Sequence, residues 1–320
     1  PPRSTLFPYT TLFRSFDFRE IKMTDVNVVN EYISYLAEHK NSSKNTLSAY
    51  GRDLYLYAEY LEKHGETVIN ADSEAVNAFK SYLSAQGKSV ATVSRCMSSV
   101  RSLYKYLMAT SAVTQNPSSE IKNDKQEKKF FEVLSEPEID KLLSAPNTSD
   151  FKGIRDKAML ETLYATGMKV TELISLNVSD VNLQLNFVRC HGEDNAKHER
   201  MVLLYPTAVR VLEQYIRAAR NYFVTDSSEN ALFVNVNGER MTRQGFWKLL
   251  KGYAKNAGIT KTITPHTLRH SFAAHLLENG ADINDIKNIL GHADISSTQI
   301  YAQYVKSRIS DSYLKYLHRT

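Results

Sequence analysis

The chain has 320 residues, 42% apolar and 23% charged, with 12 glycines, two cysteines and a formal net charge of +5. That is enough chain for two domains with cores of their own, and no apolar run approaches the roughly 20 residues that a membrane-spanning helix needs. Cys96 and Cys190 stand far apart without metal-ligand spacing, which argues against a disulfide scaffold or a zinc site and makes the cytoplasm the expected location, while the mild positive balance leans only weakly toward an anionic partner.

Residues 1–22 are set apart from the fold. The stretch 1–15 reads PPRSTLFPYTTLFRS, a near-repeat whose pattern does not continue past Ser15. It reads as a non-native or disordered arm, with the natural start near Met23. Residues 23–115 then show four amphipathic helical segments. The first carries Val28, Val29, Tyr32, Ile33 and Leu36 at three- and four-residue steps. The second begins after Ser43, an N-cap candidate, and places Leu47, Tyr50, Leu54, Tyr57 and Leu61 on one face before His64-Gly65. The third spans Ser73 to Ala85 and is broken by Gly87. The fourth starts after Ser89 and carries Val93, Met97, Val100, Tyr104 and Leu107. Four such helices make a small bundle.

Residues 116–134 read as a linker, opening on the turn cluster Asn116-Pro117-Ser118-Ser119. The basic run Lys122 to Lys129 is either a solvated hinge or a strap across a polyanion backbone. A second domain is expected over residues 135–303. Ser135-Glu136-Pro137-Glu138 has the form of a capping box ahead of Ile139, Leu142 and Leu143. A helix through Met159, Leu163 and Tyr164 should end at Gly167. Residues 187–190 (FVRC) and 201–204 (MVLL) flank a polar tip and predict an antiparallel ribbon. Helices dominate again to the end. The expected fold is mainly α with a small β-sheet: an N-terminal helical bundle plus a C-terminal α+β domain.

Two motifs carry chemistry. In Thr264-Pro265-His266-Thr267-Leu268-Arg269-His270, Thr264 is an N-cap candidate and Pro265 suits the first helical position. His266 and Arg269, three apart, then share a face at a helix N-terminus that already favours anions. Leu268, Phe272 and Leu276 would anchor the other side. The plain reading is an ordinary capped helix with a surface ion pair; the sharper one is a phosphate site. The second motif is Leu290-Gly291-His292, with Gly291 suited to a helix C′ position and Tyr301 nine residues beyond His292, on a short helix capped by Ser296 or Ser297. A single tyrosine among 19 is usually packing; the ordered combination points further.

The segment TPHTLRHSFAAHLLENGADINDIKNILGHADISSTQIY resembles the C-terminal signature of tyrosine recombinases, the family of phage integrases and Xer proteins, in which H-x-x-R and G-H precede a nucleophilic tyrosine. LETLYATGMKVTELISL resembles the segment that holds the family's first catalytic arginine. Ser43-Lys44-Asn45-Thr46, Tyr50 and Arg52-Asp53-Leu54 resemble the start of its core-binding domain. The likeness runs from about residue 24 to 303. It implies a two-domain clamp on duplex DNA. Tyr301 would attack a phosphate to leave a 3′-phosphotyrosyl bond and a free 5′-hydroxyl, with no metal, cofactor or ATP. Arg269 would hold the nonbridging oxygens, His266 would assist proton transfer from the tyrosine, and His292 would support the transition state. Lys44, Thr46, Arg52, Arg95, Arg101 and Arg243 are the expected DNA-contacting residues. The tail, 304–320, with Val305, Ile309, Tyr313 and Leu317 at four-residue steps, would dock on a neighbouring protomer in a homo- or hetero-tetramer.

Two departures bear on rate. Lys169 stands where the family carries its first catalytic arginine, keeping the charge but losing the planar fork. At the ribbon tip, Glu193 stands where the general-acid lysine is usual; Lys197 either takes that role or matches the family's second, noncatalytic lysine. The expected function is therefore site-specific DNA recombination, the alternatives being a catalytically weakened DNA-binding paralogue or a type IB topoisomerase. The compact size and the N-terminal bundle argue against the topoisomerase.

Overall fold

The glycine-poor amphipathic segments of the first hundred residues fold as four helices. The computed structural model describes residues 23–40, 42–122, 131–192, 199–226 and 229–316, and it divides into two units, Pro1–Lys128 and Lys129–Thr320. In the first unit the helices are α1 (Met23–His39), α2 (Lys44–Lys63), α3 (Ser73–Ala85) and α4 (Val90–Ala109). Side-chain oxygens cap three of them: Ser43 accepts from the Thr46 N–H at 3.2 Å, Asp72 from Ala75 at 2.9 Å and Ser89 from Thr92 at 3.2 Å. The apolar faces close on a core that includes Val29, Ile33, Leu54, Leu61, Phe79 and Val100. Buried hydroxyls inside it are paired, Tyr57 with Tyr104 at 2.8 Å and Tyr104 with the Val68 carbonyl at 2.9 Å.

The second unit takes in the end of the expected linker, since Leu134 is buried and its N–H donates to Ser271 Oγ at 2.9 Å. Helix α5 (Glu136–Ser144) opens on the expected capping box, with the Ser135 N–H donating to Glu138 at 2.7 Å. Helix α6 (Phe151–Thr166) runs through the middle of the core and ends at Gly167. Helix α7 (Val170–Ser175) comes next, then an antiparallel sheet in the order β1 (Val181–Asn182), β2 (Phe187–Cys190), β3 (Arg200–Leu203). Val188 faces Val202 and Cys190 faces Arg200 across the ribbon. Strand β1 lies outside the sequence expectation, because two residues carry no readable period.

Helix α8 (Pro206–Gln214) passes through a π turn over Tyr215–Ala219 into α9 (Arg220–Phe223). The last four helices are α10 (Arg243–Asn256), α11 (Pro265–Glu278), α12 (Ile283–Leu290) and α13 (Ser296–Tyr316). The structure is thus mainly helical with one three-stranded sheet. It corrects one expectation: the tyrosine helix is not short but a single element of 21 residues, so the boundary drawn at residue 303 falls inside α13. The segment contains neither glycine nor proline, and nothing local stops the helix. No helix among the described residues is long and apolar enough to cross a membrane.

Candidate active site

The site is assembled where three helix ends meet. Gly167 closes α6 with φ +57°, and a Cβ there would lie 2.3 Å from the Phe272 ring. Gly291 closes α12 with φ +68°, and a Cβ there would meet the Arg200 guanidinium at 2.9 Å. Both positions need the left-handed backbone and the missing side chain. Helix α11 starts between them, with Thr264 Oγ1 accepting from the Thr267 N–H at 3.1 Å and Pro265 in the first turn.

Arg269 is 4% exposed. Its two terminal nitrogens donate to the carbonyls of Gly167 and Leu290, each at 2.7 Å. These are C-terminal carbonyls of α6 and α12, where the backbone dipoles favour a cation. The guanidinium is therefore locked in place with donors to spare for an anion. A second, half-buried arginine braces the same ends. Arg200 grips Glu172 through two hydrogen bonds of 2.7 and 2.9 Å and donates to the Ile289 carbonyl at 2.6 Å. Burial would raise the Glu172 carboxyl, but the Arg200 hydrogen bonds and charge outweigh it and hold the group below its ordinary range. Glu172 also accepts from the Lys169 N–H at 2.7 Å, so the braced carboxylate fixes the backbone that carries Lys169.

Tyr301 lies on the second turn of α13 and is 1% exposed. Its hydroxyl is 3.0 Å from His270 Nδ1. Phe131 packs edge-on to the Tyr301 ring at 5.2 Å and lies 4.5 Å from the His270 ring. Burial raises the Tyr301 phenol, and the adjoining Arg269 charge opposes that rise. His292 Nδ1 pairs with the buried Thr298 hydroxyl at 2.8 Å. Burial and then the Arg269, Lys169 and Arg200 charges push His292 down to about 4. His266 is lowered by burial and by Arg269, Arg243 and Lys169. The pattern is that of a cationic pocket in which the histidines are neutral.

Of the residues expected from sequence, Arg269, His266, His292, Tyr301 and Lys169 converge on this pocket, and the Arg243 charge is felt there too. Sequence reasoning missed the Arg200–Glu172 brace, Phe131, Thr298 and, nearest the chemistry, His270. His270 shares the His266 and Arg269 face at i, i+4 and i+1, a spacing that could have flagged it. Its Nδ1 is in contact with the Tyr301 hydroxyl, which also accepts from the Arg269 guanidinium; the sequence expectation places His266 beside the tyrosine. Lys197 and Glu193 lie outside the described residues. In the first unit Lys44 and Arg52 are exposed and Thr46 half-buried. Arg95 pairs with the buried Asp53 at 2.5 Å, its side chain still 46% exposed. Arg101 is half-buried and donates to the Ile121 carbonyl at 2.7 Å.

The sequence model of the phage integrase family matches residues 132–308, and that of the phage integrase N-terminal SAM-like domain matches residues 29–111. The tyrosine recombinase XerD of Oceanobacillus iheyensis is 46% identical over 291 residues, 90% of this chain and 97% of that protein. Tyrosine recombinase XerD of Listeria innocua is 42% identical, over 91% and 98% of the two chains. Among solved structures, XerH site-specific recombinase bound to palindromic difH substrate superposes with a TM-score of 0.72 at 22% identity, over 93% of this chain and 91% of that one. The Tn1549 transposon integrase in complex with a circular intermediate DNA gives 0.71 at 18% identity, over 88% and 99%. The chain belongs to the phage integrase family and is a Xer-like tyrosine recombinase.

Proposed function

We propose that this recombinase cleaves and rejoins duplex DNA at a specific site through a covalent bond between Tyr301 and a 3′-phosphate. The observation that carries the reading is the convergence of Lys169, His266, Arg269, His292 and Tyr301 from four elements onto one cationic pocket. A scissile phosphate seated there takes its nonbridging oxygens onto Arg269 and Lys169, and the charge of the five-coordinate transition state is met by donors that are already fixed. His266 and His292 supply hydrogen bonds from either side. The Tyr301 oxygen forms the new P–O bond and the 5′-oxygen leaves, so bond energy is conserved. Lys197 is the proposed general acid for that 5′-oxygen. Lys44, Thr46, Arg52, Arg95 and Arg243 are proposed DNA contacts; Arg101, also expected from sequence, is left out because its guanidinium donates to the Ile121 carbonyl. The proposed assembly at the synapse is a tetramer of this chain, or of this chain with a second recombinase, in the cytoplasm. The segment after Tyr301 is proposed to link neighbouring protomers. The paralogue without strand cleavage is not favoured, because relatives above 40% identity over nine-tenths of the chain are named as tyrosine recombinases.

The test is covalent capture. Nicked suicide duplexes with randomised arms are incubated with the protein, and members of a denaturation-resistant adduct are recovered and sequenced. The wild type is expected to enrich one duplex family, and Tyr301→Phe is expected to bind it without forming an adduct. An adduct that survives Tyr301→Phe removes Tyr301 as nucleophile, and no adduct from the wild type on any duplex removes strand cleavage.

A further inference from the structure

We propose that His270 is a catalytic residue of this recombinase, taking the phenol proton from Tyr301 through Nδ1 as the tyrosine attacks. The inference rests on the strand-cleavage reading above and deepens it. Three observations support it. His270 Nδ1 lies 3.0 Å from the Tyr301 hydroxyl, within the reach required of a general base. His266, one turn earlier on α11, has its ring centre 6.3 Å from that of His270 and no hydrogen bond to the tyrosine among the described contacts. The His270 ring is also fixed on its other side by Phe131 at 4.5 Å, and Phe131 in turn touches the rings of Tyr301 and Tyr304 at 5.2 and 5.1 Å. Base and nucleophile are therefore held as a pair by one aromatic contact from the start of the second unit.

The electrostatics suit a base that switches on with substrate. His270 is pushed down to about 4, first by burial and then by His266, Arg269 and His292, so before DNA arrives it is neutral with a lone pair available. The groups that face it are His266 and Arg269 on its own helix, His292 after α12 and Tyr301 on α13, with the apolar Phe131 beside them. An incoming phosphodiester brings a negative charge onto Arg269 and offsets the cationic field that depresses His270, raising its basicity at the moment of attack. The proton then moves from Tyr301 to Nδ1, the Tyr301 O–P bond forms, and the P–O5′ bond breaks. The 5′-oxygen collects its own proton from the leaving-group side. In the covalent intermediate His270 carries the stored proton. Rejoining returns it to Tyr301 as the 5′-hydroxyl, losing its proton on its own side, attacks phosphorus.

Two measurements on the full chain test this. First, long-range 1H–15N NMR of the imidazoles, with the His270 signals assigned by substitution, reports the tautomer. Nδ1 without hydrogen is expected; hydrogen on Nδ1 makes Tyr301 the acceptor and overturns the proposal. Second, His270→Asn places an amide oxygen near the Nδ1 position without basicity, and His270→Phe keeps the ring packing without an acceptor. On the duplex captured by the wild type, both are expected to bind DNA normally and to form adduct about 10²-fold more slowly, the low end of what a general base contributes. A 5′-bridging phosphorothiolate, whose sulfur leaves without protonation, is expected not to restore the rate, because the missing group acts on the nucleophile. Adduct formation within about threefold of wild type, or rescue by the phosphorothiolate, refutes the assignment of His270 while leaving Tyr301 chemistry intact. No adduct from the wild type removes strand cleavage itself and the role of His270 with it.

Discussion

At the residue scale, Lys169 and the pocket histidines decide how well Tyr301 works. Lysine is a point charge on a flexible stem, so it places one ammonium near the phosphate where a guanidinium would present a two-pronged donor. Its charge nevertheless reaches both His266 and His292. Lys169→Ala is expected to slow adduct formation by about 10²–10³, the usual cost of one oriented donor to a transition-state oxyanion. Lys169→Arg is expected to speed it, and gel-resolved adduct kinetics measure both; a faster Lys169→Ala variant would contradict the placement of this lysine.

The same pocket predicts acid sensitivity. His270 and His292 bind protons only near pH 4 in the folded chain but near pH 6.5 once unfolded. Between those values the unfolded state binds more protons, so stability rises with pH across that window and falls as the solution is acidified through it. Urea midpoints measured from pH 7 to pH 4.5 are expected to drop, and to drop less in a His270→Asn, His292→Asn double variant. An equal slope in the double variant would mean that other groups control the transition.

At the scale of elements, the helix ends organise the chemistry. Gly167 terminates α6 and offers its carbonyl to Arg269. Gly167→Ala adds left-handed strain of about 1–2 kcal/mol and drives a methyl into the Phe272 ring. Gly258 has a similar φ of +69° with open space around it, so Gly258→Ala carries the strain alone. Urea titration should therefore show Gly167→Ala as the more destabilised of the two, and only that variant should also lose adduct yield. Elements of this kind are largely legible in the sequence. The four caps at Ser43, Ser89, Ser135 and Thr264 and the glycine stops at 167 and 291 are local signals, and local signals survive reading one residue at a time. Strand β1 is invisible because two residues have no period. The length of α13 escapes sequence reading because nothing in its composition marks an end, and Tyr301 is a landmark of chemistry rather than of chain geometry. The ordered His266, Arg269, His292 and Tyr301 set is readable because it is a pattern along the chain. The Tyr301–His270 contact spans 31 residues and the Glu172–Arg200 pair 28, so both exist only once separate helix ends and a strand have been packed together.

At the scale of the whole molecule, the question is which cations are free to meet DNA. A net charge of +5 is too small to signal nucleic-acid binding, and the total does not say which cations are free, because some arginines are spent internally. Arg200 is committed to Glu172 and Ile289, and Arg101 to the Ile121 carbonyl. Lys44 and Arg52, in contrast, are exposed on α2, and the Arg52 side chain rests on an exposed contact with the Ser48 carbonyl at 3.2 Å. Each phosphate contact contributes about 0.9 to the slope of log affinity against log salt concentration. Lys44→Ala with Arg52→Ala is therefore expected to weaken binding to any duplex and to flatten that slope by about 2. Arg101→Ala should leave the slope unchanged and instead lower the unfolding midpoint, because it deletes a hydrogen bond that holds residue 121 to α4. Fluorescence anisotropy between about 50 and 200 mM salt separates the two effects. A slope that falls with Arg101→Ala and not with the α2 pair would show that the exposed face of α2 is not where the phosphate backbone lies.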